Sequence, residues 1–116
     1  MKVLLVADEE ELVTTLAERL SFRGVEAKWA TAGDGAVELT EREPFDVVVL
    51  DVKMPHLNGI QLKKILERIR PEMKFVFLTG HGSEEDFRIG SAEAEHYLVK
   101  PIDIETLVAT LNEVAG

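Results

Sequence analysis

Four polar residues each stand at the end of an apolar segment, and their side chains suit phosphate and metal chemistry. Asp51 closes the apolar run 45–50, and Asp8 ends an earlier run in the same way. Thr79 and Lys100 end two later runs. In open α/β sheets, ligands bind outside the carboxyl ends of the parallel strands. We therefore expect two carboxylates, a hydroxyl and an ammonium group to meet at one edge of a sheet and to form a chemical site.

Two crowded carboxylates favour a cation or a proton between them, because their charges repel. Two carboxylates with a loop carbonyl and water form a ligand set that Mg²⁺ prefers. An aspartate beside a divalent metal ion can attack phosphorus and form an aspartyl phosphate. The ammonium group of Lys100 suits a phosphate oxygen, and together with a metal ion it would offset the charge of the transferring group.

Strand-like and helix-like patterns alternate five times along the chain. Continuous or alternating apolar segments predict strands over residues 2–7, 25–30, 46–50, 74–78 and 96–99. Apolar residues at helical spacing predict helices over residues 9–22, 33–42, 57–69, 83–92 and 103–114. Asp103 is expected to cap the last of these helices. Five strand–helix units predict a mostly parallel α/β sheet with helices on both faces.

Composition limits the classes of function. The length of 116 residues predicts one domain over residues 1–116, and the 46% apolar and 30% charged content is typical of globular proteins. A net charge of −9 argues against direct nucleic-acid binding by this domain and favours cations or basic partners. The chain has no cysteine, and no apolar run reaches membrane-spanning length. We therefore expect a cytoplasmic domain without membrane contacts.

The chain resembles, over its whole length, the receiver domain of two-component response regulators. The resemblance rests on the acid after the first strand and on three later segments, which are Asp51-Val52-Lys53-Met54-Pro55, Leu78-Thr79-Gly80-His81-Gly82 and Tyr97-Leu98-Val99-Lys100-Pro101. It implies a flavodoxin-like (βα)5 fold, a doubly wound parallel sheet of five strands in the order 2-1-3-4-5. It also implies a phosphoacceptor signalling domain that catalyses its own phosphorylation and dephosphorylation, and that is not a classical enzyme.

The resemblance assigns the residues of the site as well. Asp51 would be the phosphoacceptor. Asp8, Asp51 and the main-chain carbonyl of Lys53 would hold Mg²⁺, with Mn²⁺ as an alternative. Lys100 would pair first with Asp51 and then with the phosphoryl group. The Lys100–Pro101 peptide bond would be cis.

The resemblance further implies a switch and its partners. Thr79 would follow the phosphoryl group, and Tyr97 would change rotamer behind it. The change would reach the face formed by the fourth helix, the fifth strand and the fifth helix, which could also form a homodimer. The phosphoryl donor would be a sensor histidine kinase or a histidine phosphotransfer protein.

One position departs from the family pattern. Receiver domains usually carry two adjacent acids after the first strand. Counting back from Leu12, the first core residue of the first helix, aligns Asp8 with the second acid and Ala7 with the first. We therefore predict weaker Mg²⁺ binding than is usual, with Glu9 as an alternative metal ligand. The departure also keeps open a second function, that of a pseudo-receiver docking module that does not depend on phosphorylation.

Simpler interpretations remain for individual residues. Asp8 could cap the first helix, with Glu11 completing a capping-box-like pattern. Thr79 could be an ordinary hydroxyl at a strand end, Lys100 a solvated lysine, and Tyr97 a packing residue of a strand. No glycine-rich phosphate-binding motif follows the first strand, which argues against a nucleotide-binding enzyme.

Overall fold

Short apolar segments form the five strands of one parallel sheet. The computed structural model describes residues 1–54, 58–80 and 96–116. The strands are β1 (Lys2–Val6), β2 (Glu26–Ala30), β3 (Val47–Asp51), β4 (Lys74–Thr79) and β5 (His96–Val99). They pair in the order β2-β1-β3-β4-β5, and every pair is parallel. The predicted flavodoxin-like α/β architecture and strand order are therefore confirmed.

Four helices are seen in the described part of the chain. They are α1 (Glu10–Ser21), α2 (Gly33–Arg42), α3 (Gly59–Ile69) and the C-terminal helix (Ile104–Ala115). The predicted helix over residues 83–92 and the predicted start of the third helix at residue 57 lie outside the described residues. Among the residues described, no helix is both long enough and apolar enough to cross a lipid bilayer.

The central strands are buried on both faces, and this is why they read as unbroken apolar runs. All five residues of β3 are buried, as are Val3, Leu4, Leu5 and Val6 of β1. Successive side chains of a strand point to opposite faces. Val3 and Leu5 accordingly join the apolar cluster packed by α1 and the C-terminal helix. Leu4 and Val6 join the cluster packed by α2 and α3.

The helix starts differ in detail from the sequence prediction. Helix α1 begins at Glu10, with Glu9 as its N-cap, so the interpretation of Asp8 as the cap is wrong. Asn58 caps α3 in a capping box with Gln61, and this arrangement satisfies two backbone N–H groups of the first turn. Asp103 caps the C-terminal helix as predicted, accepting a hydrogen bond of 3.2 Å from the backbone N–H of Thr106.

One buried hydroxyl offers a test of the core. Thr40 of α2 is 0% exposed, and its Oγ1 has no hydrogen-bond partner among the described residues. Replacing Thr40 by Val removes this unsatisfied group while keeping a β-branched side chain, so we expect Thr40→Val to raise the free energy of unfolding by about 1 kcal/mol. Urea unfolding measures the change.

Thr14→Val is the matched control for this substitution. Thr14 is only half-buried, and its hydroxyl donates to the carbonyl of Glu10 at 2.8 Å. We expect no comparable gain in stability there. An equal gain at both positions would show that the buried hydroxyl of Thr40 is not the cause.

Candidate functional site

The two acids after β1 and the acid that ends β3 lie together at the carboxyl edge of the sheet. Val6 pairs with Leu50 in the parallel register, so the residues just beyond β1 emerge beside Asp51. Asp8, Glu9 and Asp51 each offer a carboxylate oxygen, and these oxygens lie within 4.8 Å of one another. Asp51 is only 3% exposed, whereas Asp8 and Glu9 are exposed. The result is an acidic pocket with a buried floor and a solvated rim.

Lys100 reaches into this pocket from the far side of β4. It follows β5 directly, and its backbone N–H donates to the carbonyl of Thr79 at 2.9 Å, which fixes the point where the side chain leaves the sheet. Its Nζ lies 2.5 Å from Oδ2 of Asp51 and 3.1 Å from Oε1 of Glu9. The Lys100–Pro101 peptide bond is cis. The ammonium group therefore bridges two of the three carboxylates.

The main chain after β3 completes the environment of Asp51. The backbone N–H of Lys53 donates to Oδ1 of Asp51 at 3.1 Å, so both carboxylate oxygens accept hydrogen bonds. The backbone N–H of Gly59 donates to the carbonyl of Val52 at 2.8 Å and brings the start of α3 against the end of β3. The Lys53 amide and the Lys100 ammonium group therefore hold the Asp51 carboxylate from two sides.

Thr79 and Tyr97 occupy different surroundings. Thr79 follows Leu78, the register partner of Asp51, and it is buried at the end of β4. Its hydroxyl makes a long hydrogen bond of 3.5 Å to the carbonyl of Leu98. Tyr97 is half-buried and packs against the apolar cluster on the α2 and α3 side of the sheet. Thr79 thus lies at a strand end next to Asp51, whereas the ring of Tyr97 takes part in the packing between the sheet and the helices.

Burial and charge act in opposite directions on Asp51. Burial raises the pKa of Asp51, and the nearby charge of Asp8 adds to this effect. The hydrogen bonds from Lys100 and the Lys53 amide lower it, but the pKa remains above its ordinary value. For Lys100, burial lowers the pKa, yet the hydrogen bonds to Asp51 and Glu9 outweigh burial and hold it above its ordinary value. In this pocket the charged form of Lys100 is therefore favoured, whereas burial opposes the ionisation of Asp51.

The raised pKa of Asp51 predicts how stability depends on pH. The folded state binds this proton more tightly than the unfolded state, so ionisation of Asp51 lowers stability as the pH rises through the folded pKa. Without divalent cations, we expect Asp51→Asn to be more stable than the wild type at pH 7, with the difference fading toward acidic pH. Urea unfolding across that pH range measures it. Asp34→Asn, at the exposed start of α2, removes a carboxylate that is not buried and should give no gain in stability at pH 7.

The site fits a hard divalent cation by the chemistry of its donors. Three carboxylates within reach of one another supply the oxygen ligands that Mg²⁺ and Mn²⁺ accept. Ala7, at the position of the missing acid, is 0% exposed and packs in the apolar cluster beneath α1. Sequence reasoning named Glu9 only as an alternative metal ligand and did not predict its ion pair with Lys100. The feature of the sequence that pointed toward this ion pair was Ala7, which stands where receiver domains usually carry the first of two acids.

The family model that matches this chain and several of the similar proteins are those of response regulators. A model described as the response regulator receiver domain matches residues 3–112. The transcriptional regulatory protein CpxR of Escherichia coli strain K12 is 36% identical over 114 residues, which are 97% of this chain and 48% of CpxR. The chain thus spans about half the length of that curated relative.

Two solved structures share the architecture. The Vibrio cholerae chemotaxis protein CheY4 is 32% identical with a TM-score of 0.87, and the match covers 97% of each chain. A response regulator protein from Burkholderia pseudomallei is 29% identical with a TM-score of 0.85, and the match covers 98% of this chain and 68% of that one. The latter structure contains a phosphorylated aspartic acid, a calcium ion and citrate.

Proposed function

This chain belongs to the receiver-domain family of response regulators, the signalling domains of two-component systems, and we propose that it accepts a phosphoryl group on Asp51. The observation that carries the proposal is the position of the Asp51 carboxylate, which lies in an acidic pocket with the Lys100 ammonium 2.5 Å away. The phosphorylated aspartic acid in the Burkholderia response regulator supports the same chemistry here.

The proposed reaction transfers a phosphoryl group from phosphohistidine. The donor is a phosphohistidine on a sensor histidine kinase or a histidine phosphotransfer protein. One carboxylate oxygen of Asp51 attacks phosphorus and forms the acyl phosphate, while the P–N bond breaks and the imidazole nitrogen keeps the electron pair. Lys100 then pairs with a phosphoryl oxygen, and its charge stabilises the product. Hydrolysis of the acyl phosphate by water returns the free carboxylate.

Asp8, Asp51 and the main-chain carbonyl of Lys53 would hold the divalent cation, Mg²⁺ or Mn²⁺, and Glu9 lies close enough to take part. The cation would supply positive charge next to the phosphoryl group that is being transferred. Because Ala7 offers no carboxylate, we expect phosphorylation of Asp51 to require millimolar Mg²⁺ for saturation. A titration that saturates well below millimolar metal would contradict this expectation.

The phosphoryl group would act by shifting an equilibrium between two conformations of the domain. Thr79 would move toward the phosphoryl oxygens, and Tyr97 would change rotamer in the sheet. The output face would consist of the predicted fourth helix, β5 and the C-terminal helix. This face is also the proposed surface for a homodimer, and neither nucleic acid nor membrane is a proposed partner of this domain.

Incubation with a small phosphodonor and Mg²⁺, followed by intact-mass measurement, tests the proposed function. We expect one addition of about 80 Da when Mg²⁺ is present and none when a chelator removes it. Mg²⁺ alone should also raise the thermal unfolding temperature, because a ligand that binds only the folded state stabilises it. Absence of both effects would instead favour a pseudo-receiver docking module.

A further inference from the structure

Glu9 stands at a helix N-cap but does not act as one. Its backbone is extended, with φ −86° and ψ 99°, yet its side chain makes no capping hydrogen bond to α1. Ser, Thr, Asp and Asn are the residues that stabilise this position, and Glu is not among them. The Glu9 carboxylate instead accepts a hydrogen bond of 3.1 Å from Nζ of Lys100, which lies 91 residues later in the chain. The Glu9 side chain therefore contacts Lys100 in the pocket and does not cap the helix.

Two carboxylates on different elements hold the Lys100 ammonium group. Asp51 belongs to β3, whereas Glu9 lies between β1 and α1. The side chain of Glu9 is 61% exposed and that of Lys100 is 23% exposed, so this second ion pair lies on the solvent side of the pocket. The two contacts are not equivalent during the reaction. When Asp51 forms the acyl phosphate, the negative charge moves from its carboxyl group to the phosphoryl oxygens, whereas the Glu9 carboxylate is unchanged by the reaction.

We propose that Glu9 is a positioning residue, which holds the ammonium group of Lys100 over the pocket while Asp51 is being phosphorylated. The inference rests on the proposed function of Asp51. It adds a role for Glu9, which is neither the phosphoacceptor nor a residue at the end of a strand. Glu9 acts through Lys100. Its ion pair restricts the conformations of the long, flexible Lys100 side chain to those in which the ammonium group lies near the phosphoryl oxygens.

Glu9→Met tests the role in catalysis, because it removes the acceptor and the charge and adds no capping group. We expect the phosphorylation rate constant at saturating phosphodonor and Mg²⁺ to fall about two- to five-fold, as befits a half-exposed ion pair. The KM for the phosphodonor should not rise, since the substitution removes a negative charge. Glu11→Met removes the same charge from the first turn of α1 and should leave the rate unchanged.

A double-mutant cycle separates positioning from metal binding. If Glu9 acts through Lys100, Glu9→Met should produce no further decrease in rate when Lys100 is already replaced by Met. A decrease that persists in the Lys100→Met background, together with a weaker Mg²⁺ affinity, would overturn the proposal and make Glu9 a metal ligand.

A measurement without phosphorylation keeps this inference separate from the proposed function. In metal-free Asp51→Asn, we expect nitrogen-15 NMR to show slow hydrogen exchange of the Lys100 ammonium group, because Glu9 still holds it. Adding Glu9→Met should accelerate that exchange, whereas adding Glu11→Met should not. Equal exchange rates with and without Glu9 would overturn the positioning role, whether or not the wild type accepts a phosphoryl group.

Discussion

Asp51→Asn is expected to abolish phosphorylation by a small phosphodonor in the presence of Mg²⁺. The amide of asparagine has no negatively charged oxygen that could attack phosphorus. Among the described residues, no other carboxylate is both buried and 2.5 Å from an ammonium group. We expect the rate to fall by at least about a thousandfold, the order seen when an essential nucleophile is removed. Intact-mass measurement over time reports the rate.

Asp46→Asn is the matched control, because Asp46 lies just before β3, at the opposite end of the same strand. Its carboxylate accepts a hydrogen bond of 2.7 Å from the backbone N–H of Lys2 and is remote from the pocket. Phosphorylation of Asp46→Asn should match that of the wild type. Undiminished phosphorylation of Asp51→Asn would place the acceptor elsewhere.

Gly59→Ala should be among the most destabilising single substitutions in the described part of the chain. A Cβ at Gly59 would lie 2.3 Å from the carbonyl oxygen of Asp51 and 3.0 Å from Cα of Val52. Both atoms belong to the backbone at the end of a central strand, so relief requires the main chain to move. We expect a loss of about 3 kcal/mol in the free energy of unfolding, measured by urea denaturation. Phosphorylation should also slow, because the displaced backbone carries Asp51.

Gly35→Ala is the control for this steric argument. Gly35 lies in α2, and the nearest atom to an added Cβ would be Cβ of Ala30 at 3.4 Å, which is an ordinary contact. Alanine is favoured over glycine in a helix by roughly 0.5–1 kcal/mol, so this variant should be as stable as the wild type or more stable. A similar loss at both glycines would contradict the close approach at Gly59.

The sheet and most of the pocket could be predicted from sequence for a physical reason. Unbroken apolar runs indicate strands buried on both faces, and the residues that end parallel strands emerge at one edge. This reasoning predicted that Asp8, Asp51 and Lys100 would come together, as they do. It needed only the path of the main chain and no side-chain rotamer.

The remaining contacts depend on features that leave no periodic signal. The rotamer of Glu9 is set by its ion pair with Lys100, and an exposed glutamate at a helix start is compatible with many rotamers. The approach of Gly59 to Asp51 depends on the absence of a side chain, which a pattern of apolar residues does not record. The half-buried setting of Tyr97 likewise follows from packing between elements, and its role as a switch stays a prediction.

Mapping the phosphorylated residue tests the central claim most directly. Borohydride reduces an acyl phosphate to the alcohol and so converts a phosphorylated aspartate to homoserine, which peptide mass spectrometry can locate. After reaction of the wild type with phosphodonor and Mg²⁺, we predict homoserine at position 51 alone. Homoserine at Asp8 or another aspartate, or its complete absence from position 51 in a protein that has gained phosphate, would contradict the assignment of Asp51 as phosphoacceptor.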